Sequence, residues 1–328
     1  MNPPVSSTAP AAASAPSAAA PARGANRCAA VARALGEAVL GSAPETCDAW
    51  VLVEHPGPWP AHGLPPDVPA DVAEFIERLP AYRIRPQLVR RPGNRRPVPP
   101  HQVYVAYSGG PHGAPVWMER REVADLRELL DLDVAAVSRG ERPNWGTEHR
   151  EPVLLVCTHG KREPCCAQFG RPTVRTLHAA YGEPVWETTH VGGDRFAANL
   201  VALPHGSYHG LVTEPVAAEV GAACLRGEVD LAHYRGRMGL PHAAQAAEWF
   251  VRSHTGIRTV EAVRTLGHVE RADGGTTVDL TAAGRMFRVT VRTARSGCPR
   301  LTSCSQGSVT DPDGFVLDDL RELSAPTG

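Results

Sequence analysis

The chain has 328 residues, a length that favours two domains, each large enough to bury its own core. Its 34 basic and 35 acidic residues give a formal net charge of −1, so the charge indicates neither nucleic acid nor an anionic membrane as a partner. The sequence contains no run of about eighteen strongly apolar residues, so it predicts no transmembrane span.

The first segment, residues 1–26, consists mostly of Ala, Pro and Ser. It lacks the basic start and the strongly apolar centre of a signal peptide, which predicts a cytoplasmic protein. Such a composition cannot bury enough apolar surface to offset its chain entropy, so we expect a disordered tail. In a reducing cytoplasm, clustered cysteines indicate metal binding or catalysis more than disulfides.

Residues 27–149 have the pattern of an α/β unit. Its predicted elements are a helix (28–40), a strand (50–54), a helix (68–79), an exposed Arg- and Pro-rich excursion (83–100), a hairpin (102–107 and 116–119) and a helix (122–130). This unit has no cysteine cluster, so we expect it to serve as a scaffold or docking surface.

Residues 150–254 repeat the same order. The predicted elements are a strand (151–156), a cysteine-bearing loop (157–166), a helix (171–181), three strands (185–190, 200–203 and 208–212) and a helix (215–226). The similarity of the two halves favours tandem copies of one unit, although two unrelated α/β domains can also share such a pattern. Residues 255–328 predict a small β-rich extension with a hairpin around 281–284.

The cysteine-bearing loop is the first candidate site. Cys157 follows a predicted buried strand, and the carboxyl end of a strand is the usual place for a site in an open α/β sheet. Eight residues separate Cys157 from Cys166, so the loop can turn back and present two sulfurs to one metal unit. Thiolates are the soft ligands that zinc and iron–sulfur clusters need.

A second motif, His190-Val-Gly-Gly-Asp194, follows the next predicted helix and strand. Its glycines allow positive φ or a close approach of the backbone to a metal. Imidazole and carboxylate are both metal ligands, so two sulfurs, one nitrogen and one oxygen could complete a site.

The segments VCTHGKREPCCAQFGRP, WETTHVGGDRFAANLVALP and RCAAVARALGEAVLGSAP together resemble the sucrase/ferredoxin-like family, from residue 27 to about residue 252. The resemblance implies a thioredoxin-like fold and a [2Fe-2S] cluster used in electron transfer. We therefore expect an α/β chain of two tandem thioredoxin-like units, with the small extension at its end. The family's pattern, carried over, implies Cys157, Cys166 and His190 as ligands.

The fourth position of that pattern departs from the family, because Asp194 stands where a second histidine is expected. Three interpretations remain open: Asp194 is itself a ligand, Asp194 orients a ligand by a hydrogen bond, or Cys165 or His159 of the cysteine loop substitutes as the fourth ligand. We place Asp194 near the cluster and take Cys165 as the leading alternative ligand.

The leading hypothesis is an electron carrier rather than an enzyme. The sequence shows no pair of carboxylates suited to glycoside hydrolysis, so sucrase activity is not supported. No Gly-x-Gly-x-x-Gly fingerprint is present, so we expect a separate reductase or redox protein as electron donor or acceptor. The oligomeric state is not indicated by any pattern.

Two other functions remain open. A thioredoxin-type thiol-redox enzyme would use Cys157 as its nucleophile, although the chain has no Cys-x-x-Cys. A structural zinc site would make the protein a binding module. Three interpretations are open for Cys298 and Cys304: extra thiols near the site, a redox pair, or two unrelated cysteines. The other cysteines, Cys28, Cys47 and Cys224, have the pattern of small buried hydrophobes.

Overall fold

The computed structural model describes residues 27–93, 98–109 and 115–323, so the predicted tail lies outside the described residues. Its centre is a mixed sheet with the strand order β10-β9-β8-β6-β7-β2-β1-β3-β4-β5. The strands are β1 (Ala49–Glu54), β2 (Ile84–Arg90), β3 (His101–Tyr107), β4 (Trp117–Val123), β5 (Thr147–Glu148), β6 (Val153–Cys157), β7 (Val185–Thr188), β8 (Leu200–Leu203), β9 (Ser207–His209) and β10 (Tyr234–Arg237).

Helices and short 3₁₀ turns connect these strands, which confirms the α/β class. The α-helices are α1 (Cys28–Ala34), α2 (Ala70–Arg78), α3 (Val134–Ser138), α4 (Pro164–Tyr181), α5 (Glu214–Leu225) and α6 (His242–Thr255). The 3₁₀ turns are Leu79–Tyr82, Leu126–Asp131, Asp194–Phe196 and Val260–Ala262. Among the described residues, no helix combines the length and the apolar character that crossing a membrane requires.

The two halves of the sheet have the same strand order and directions. In the first, β1 is parallel to β2 and antiparallel to β3, which pairs with β4. In the second, β6 is parallel to β7 and antiparallel to β8, which pairs with β9. The halves join through the antiparallel pair β2 and β7, in one continuous sheet. The likeness to thioredoxin and the domain boundaries stay predictions.

Side chains alternate between two buried layers, as the period of a strand requires. Val51 and Val53 of β1 pack in the core beneath α2, whereas Trp50 and Leu52 face the opposite core, which they share with Leu155 of β6. The helices α4 and α5 cover the second half through a third core. Strands β1 and β6 are therefore buried on both faces, which explains their continuous apolar sequences.

The prediction that residues 83–100 form an exposed excursion was wrong. Residues 84–90 form β2, which lies between β1 and β7 and buries Leu88 and Val89. The arginines that suggested exposure are accommodated by partners: Arg90 bonds to Glu187 of β7 and stacks on Trp59, with 4.2 Å from its Cζ to the ring centroid. Charge in a central strand is tolerated here because the charge is paired.

Helix α4 begins at Pro164, seven residues before the predicted start at 171. Proline is favoured in the first turn of a helix, where its missing N–H has no partner to lose. The side chain of Glu163 caps this end by accepting a hydrogen bond from the Cys165 N–H at 3.2 Å. Cys165 and Cys166 therefore lie in the first helical turn instead of in an open loop.

The C-terminal part is β-rich, as predicted. An antiparallel sheet has the order β11-β12-β13-β16, and a separate hairpin pairs β14 with β15. These strands are β11 (Val263–Glu270), β12 (Gly275–Ala282), β13 (Arg285–Ala294), β14 (Arg300–Ser303), β15 (Ser308–Thr310) and β16 (Gly314–Leu323). Helix α6, which the sequence analysis did not identify, packs on the larger sheet through Ala247 and Val251.

We predict that Gly170→Ala destabilises the protein by about 1–3 kcal/mol, because a Cβ at this position of α4 would lie 2.1 Å from the carbonyl oxygen of Cys157. Urea unfolding measures this effect. Glycine to alanine within a helix ordinarily stabilises, so a stabilised variant would contradict the contact. The control is Gln168→Ala, at an exposed position of the same helix, which should change stability by less than about 0.5 kcal/mol.

Candidate metal centre

Three predicted ligands meet at one edge of the sheet. Cys157 ends β6, Cys166 lies in the first turn of α4, and His190 follows β7 by two residues. One ligand atom from each lies within 4.8 Å of the others, and Cys166 Sγ is 3.7 Å from His190 Nδ1. Two thiols and an imidazole make a soft donor set, so this group could hold a metal.

The loop that carries His190 is positioned by a buried arginine. Gly192 and Gly193 have φ values of 87° and 80°, and a Cβ at Gly193 would lie 2.4 Å from the guanidinium of Arg235. Arg235 donates hydrogen bonds to the Gly192 carbonyl at 3.1 Å and to Asn199 Oδ1 at 2.8 Å. Both glycines are therefore required by their positive φ, and Gly193 also by the space that Arg235 occupies.

The first half of the chain also holds this loop. Arg85 and Gln87 of β2 donate side-chain hydrogen bonds to the carbonyl oxygen of His190, at 3.2 and 3.3 Å. Gln87 accepts a further bond from Thr189 at 2.7 Å. These contacts cross the join between the two halves, so the half without cysteine ligands contributes to the position of His190.

Asp194 contacts the far side of the His190 ring. Its Oδ1 lies 3.0 Å from Nε2, whereas Nδ1 is the nitrogen next to Cys166. A carboxylate that accepts a hydrogen bond from Nε2–H leaves the lone pair of Nδ1 free for a metal. Asp194 also interacts with Ser303 and Glu163, and it is absent from the group of three mutually close ligand atoms. This geometry matches the orienting role among the sequence hypotheses.

The site couples an imidazole to a thiol. Burial opposes the charged form of His190, but the bonds to Asp194 and Cys157 raise the pKa of its ring to about 9. Burial likewise opposes a Cys157 thiolate, yet hydrogen bonds from Cys166 and His190 lower the pKa of Cys157. The hydrogen bond to Cys157, together with burial, raises the pKa of Cys166. Without a metal, the site therefore favours a thiolate–imidazolium pair.

The alternative ligands His159 and Cys165 lie outside this group. His159 Nε2 is 2.8 Å from the carbonyl oxygen of Pro60, and its Nδ1 is buried without a hydrogen-bond partner among the described residues. Cys165 Sγ lies 3.5 Å from both Cys28 Sγ and Cys304 Sγ. Cys165 therefore belongs to a second group of thiols.

The remaining cysteines do not belong to the candidate metal centre. Cys47 and Cys224 are buried in hydrophobic clusters, as their sequence positions suggested, and Cys298 is exposed. Cys28 and Cys304 were not recognised as neighbours of Cys165, because they are separated from it by 137 and 139 positions.

Sequence analysis also missed two polar residues. Glu163 had a local signal, since a glutamate directly before a proline can cap a helix that starts there. Arg235 lies far from the motifs in the chain and carries no such signal.

A family model described as sucrase/ferredoxin-like matches residues 39–236, more than half of the chain and including all three residues of the candidate group. No curated protein and no solved structure matches the chain.

We predict that the pKa of His190 makes the stability of the metal-free protein depend on pH. Because the folded value, about 9, lies above the ordinary value of 6.5, the contribution is fully present below about pH 6.5 and is lost as the pH rises through about 9. Urea unfolding of chelator-treated protein between pH 6 and 10 measures it. His190→Gln should remove this pH dependence, whereas His233→Gln, in the remote pair with Asp230, should retain it. Equal pH profiles for the native protein and His190→Gln would contradict the prediction.

Proposed function

Since the chain belongs to the sucrase/ferredoxin-like family, we propose that it is an electron-transfer protein whose [2Fe-2S] cluster is held by Cys157, Cys166 and His190. The observation that carries this proposal is the convergence of these three ligand atoms within 4.8 Å. A bound cluster of this kind supplies a one-electron redox couple. Cys157, Cys166 and His190 would supply three ligands to the cluster, and the fourth ligand is not assigned.

The burial of the ligands differs in a way that suits electron exchange. Cys157 and Cys166 are fully buried, whereas the side chain of His190 is 19% exposed. Histidine ligation raises the potential of such a centre relative to an all-cysteine site. His190 is therefore the ligand through which a partner would exchange electrons.

Beside His190 lies a cleft of about 350 Å³ between the two halves. Leu64, Ile76 and Pro86 line it from the first half, and His159 and Arg162 from the second. We propose this cleft as the approach for a separate reductase or redox protein. The first half would then both position His190 and form part of the partner's docking surface.

The same geometry disfavours a thiol-redox enzyme. Such an enzyme needs an accessible thiolate to attack a substrate disulfide, and both Cys157 and Cys166 have no exposed surface. A zinc ion would also suit two thiolates and an imidazole. Metal analysis separates zinc from iron directly.

We predict that Cys157→Ser and Cys166→Ser each abolish iron binding, because each removes one of the soft ligands. The native protein, purified anaerobically, should contain about two irons and two acid-labile sulfides per chain and give an electron paramagnetic resonance signal on reduction. Cys47→Ser, which alters a buried cysteine outside the group, is the matched control and should keep both iron and signal. Full iron in both ligand variants, or native protein that contains no iron, would rule out the proposal.

We also predict that Asp194→Asn retains the cluster but raises its reduction potential, because it removes a negative charge next to His190 while keeping an oxygen that accepts from Nε2. Protein-film voltammetry across the pH range measures the potential. The control is Asp230→Asn, which alters a similar carboxylate–histidine pair with 2.8 Å between Asp230 Oδ1 and His233 Nδ1, and should leave the potential unchanged. Loss of iron in Asp194→Asn would instead make Asp194 a ligand.

A further inference from the structure

A second cluster of thiols lies beside the candidate metal centre. Cys28 begins α1, Cys165 lies in the first turn of α4, and Cys304 follows β14. The Sγ atom of Cys165 is 3.5 Å from each of the other two Sγ atoms. These separations far exceed the roughly 2.05 Å of a disulfide, and they approach the about 3.8 Å expected between two sulfurs on one tetrahedral zinc ion.

The second cluster has its own set of side chains. Successive residues of a helix point about 100° apart, so the adjacent Cys165 and Cys166 reach different partners. Cys166 faces His190, whereas Cys165 faces Cys28 and Cys304. The two groups of candidate ligand atoms share no member.

Glu163 supplies a fourth candidate ligand atom, within 4.8 Å of the three sulfurs. This carboxylate is fully buried, and its Oε2 accepts hydrogen bonds from the backbone N–H groups of Cys304 and Ser305, at 3.1 and 3.0 Å, and from the Ser303 hydroxyl at 3.2 Å. The Cys28 N–H donates to Cys304 Sγ at 3.1 Å, a contact that favours a thiolate at Cys304. The pocket thus gathers one buried carboxylate and three thiols, and a bound cation would stabilise their ionised forms.

We propose that Cys28, Cys165, Cys304 and Glu163 form a structural zinc site, separate from the centre at Cys157, Cys166 and His190. Three thiolates and one carboxylate oxygen are a tetrahedral donor set that zinc accepts. The proposal does not depend on the [2Fe-2S] cluster, because no ligand is shared.

The position of the site gives zinc a structural task. The hairpin of β14 and β15 forms a two-stranded sheet of its own, and an isolated two-stranded hairpin is marginally stable. Its apolar contact with the rest of the protein is a small cluster that includes Leu301, Ala29 and Ala197. A zinc ion would cross-link α1, α4 and this hairpin, as metals do in small folded units.

The test is metal analysis of the full chain. The native protein should contain about one zinc in addition to any iron. Cys304→Ser, at the least buried ligand, should lose the zinc and keep the iron, whereas Cys298→Ser, at an exposed cysteine of the same segment, should keep both. Unchanged zinc in Cys304→Ser would overturn the proposal, and loss of iron in that variant would assign these thiols to the iron centre instead.

A second measurement needs no substitution. Native protein is alkylated with and without prior removal of zinc by a chelator, and the modified cysteines are identified by mass spectrometry. Cys304, the partly exposed thiol of the three, should become modified several-fold faster after chelation, while exposed Cys298 reacts at the same rate in both samples. Equal rates for Cys304 with and without zinc, or a disulfide between two of the three cysteines in the isolated protein, would overturn the proposal.

Discussion

The parallel pairing of β6 with β7 is the constraint on which the candidate metal centre depends. Parallel strands end at the same edge of a sheet, so the residues that follow them are neighbours although a whole helix separates them in the chain. Cys157 ends one strand and His190 follows the other. The connecting helix α4 starts at this same edge, which adds Cys166. Two motifs that are distant in sequence thereby become one donor set.

Buried charges then join the site to distant parts of the chain. Arg235 is fully buried and bonds to the loop of His190, and Asp194 and Glu163 link that loop to the segment around Ser303. Nearby, the largely buried carboxylate of Glu37 pairs with Arg195 at 2.6 Å and with Arg300 at 2.8 Å. A buried charge is costly unless it is paired, so these residues tie the position of the C-terminal hairpin to the geometry of the site. The extension is therefore part of the surroundings of the candidate metal centre.

Much of the fold was predictable because its signals are local. Apolar runs identify β1, β6 and β8, and the alternation in the C-terminal region identifies the hairpin of β12 and β13. The candidate site was predictable for the same reason: the spacing of Cys157 and Cys166 and the His190-Val-Gly-Gly-Asp194 motif are readable within short segments. By contrast, β2 was missed because its arginines suggested solvent, and only the partners Glu187 and Trp59 show how that charge is accommodated.

Residue type and periodicity in the sequence are enough to predict the α/β class and the β-rich extension, and the family resemblance of its motifs singles out three candidate ligands. Tertiary structure alone decided that Asp194 bonds to the back of the His190 ring, and that Cys165 turns away toward Cys28 and Cys304. The physical reason is that a side chain's direction depends on where its helix starts and on which distant segments pack against it. The spacing of residues within a motif indicates neither where the helix starts nor which distant segments pack against it.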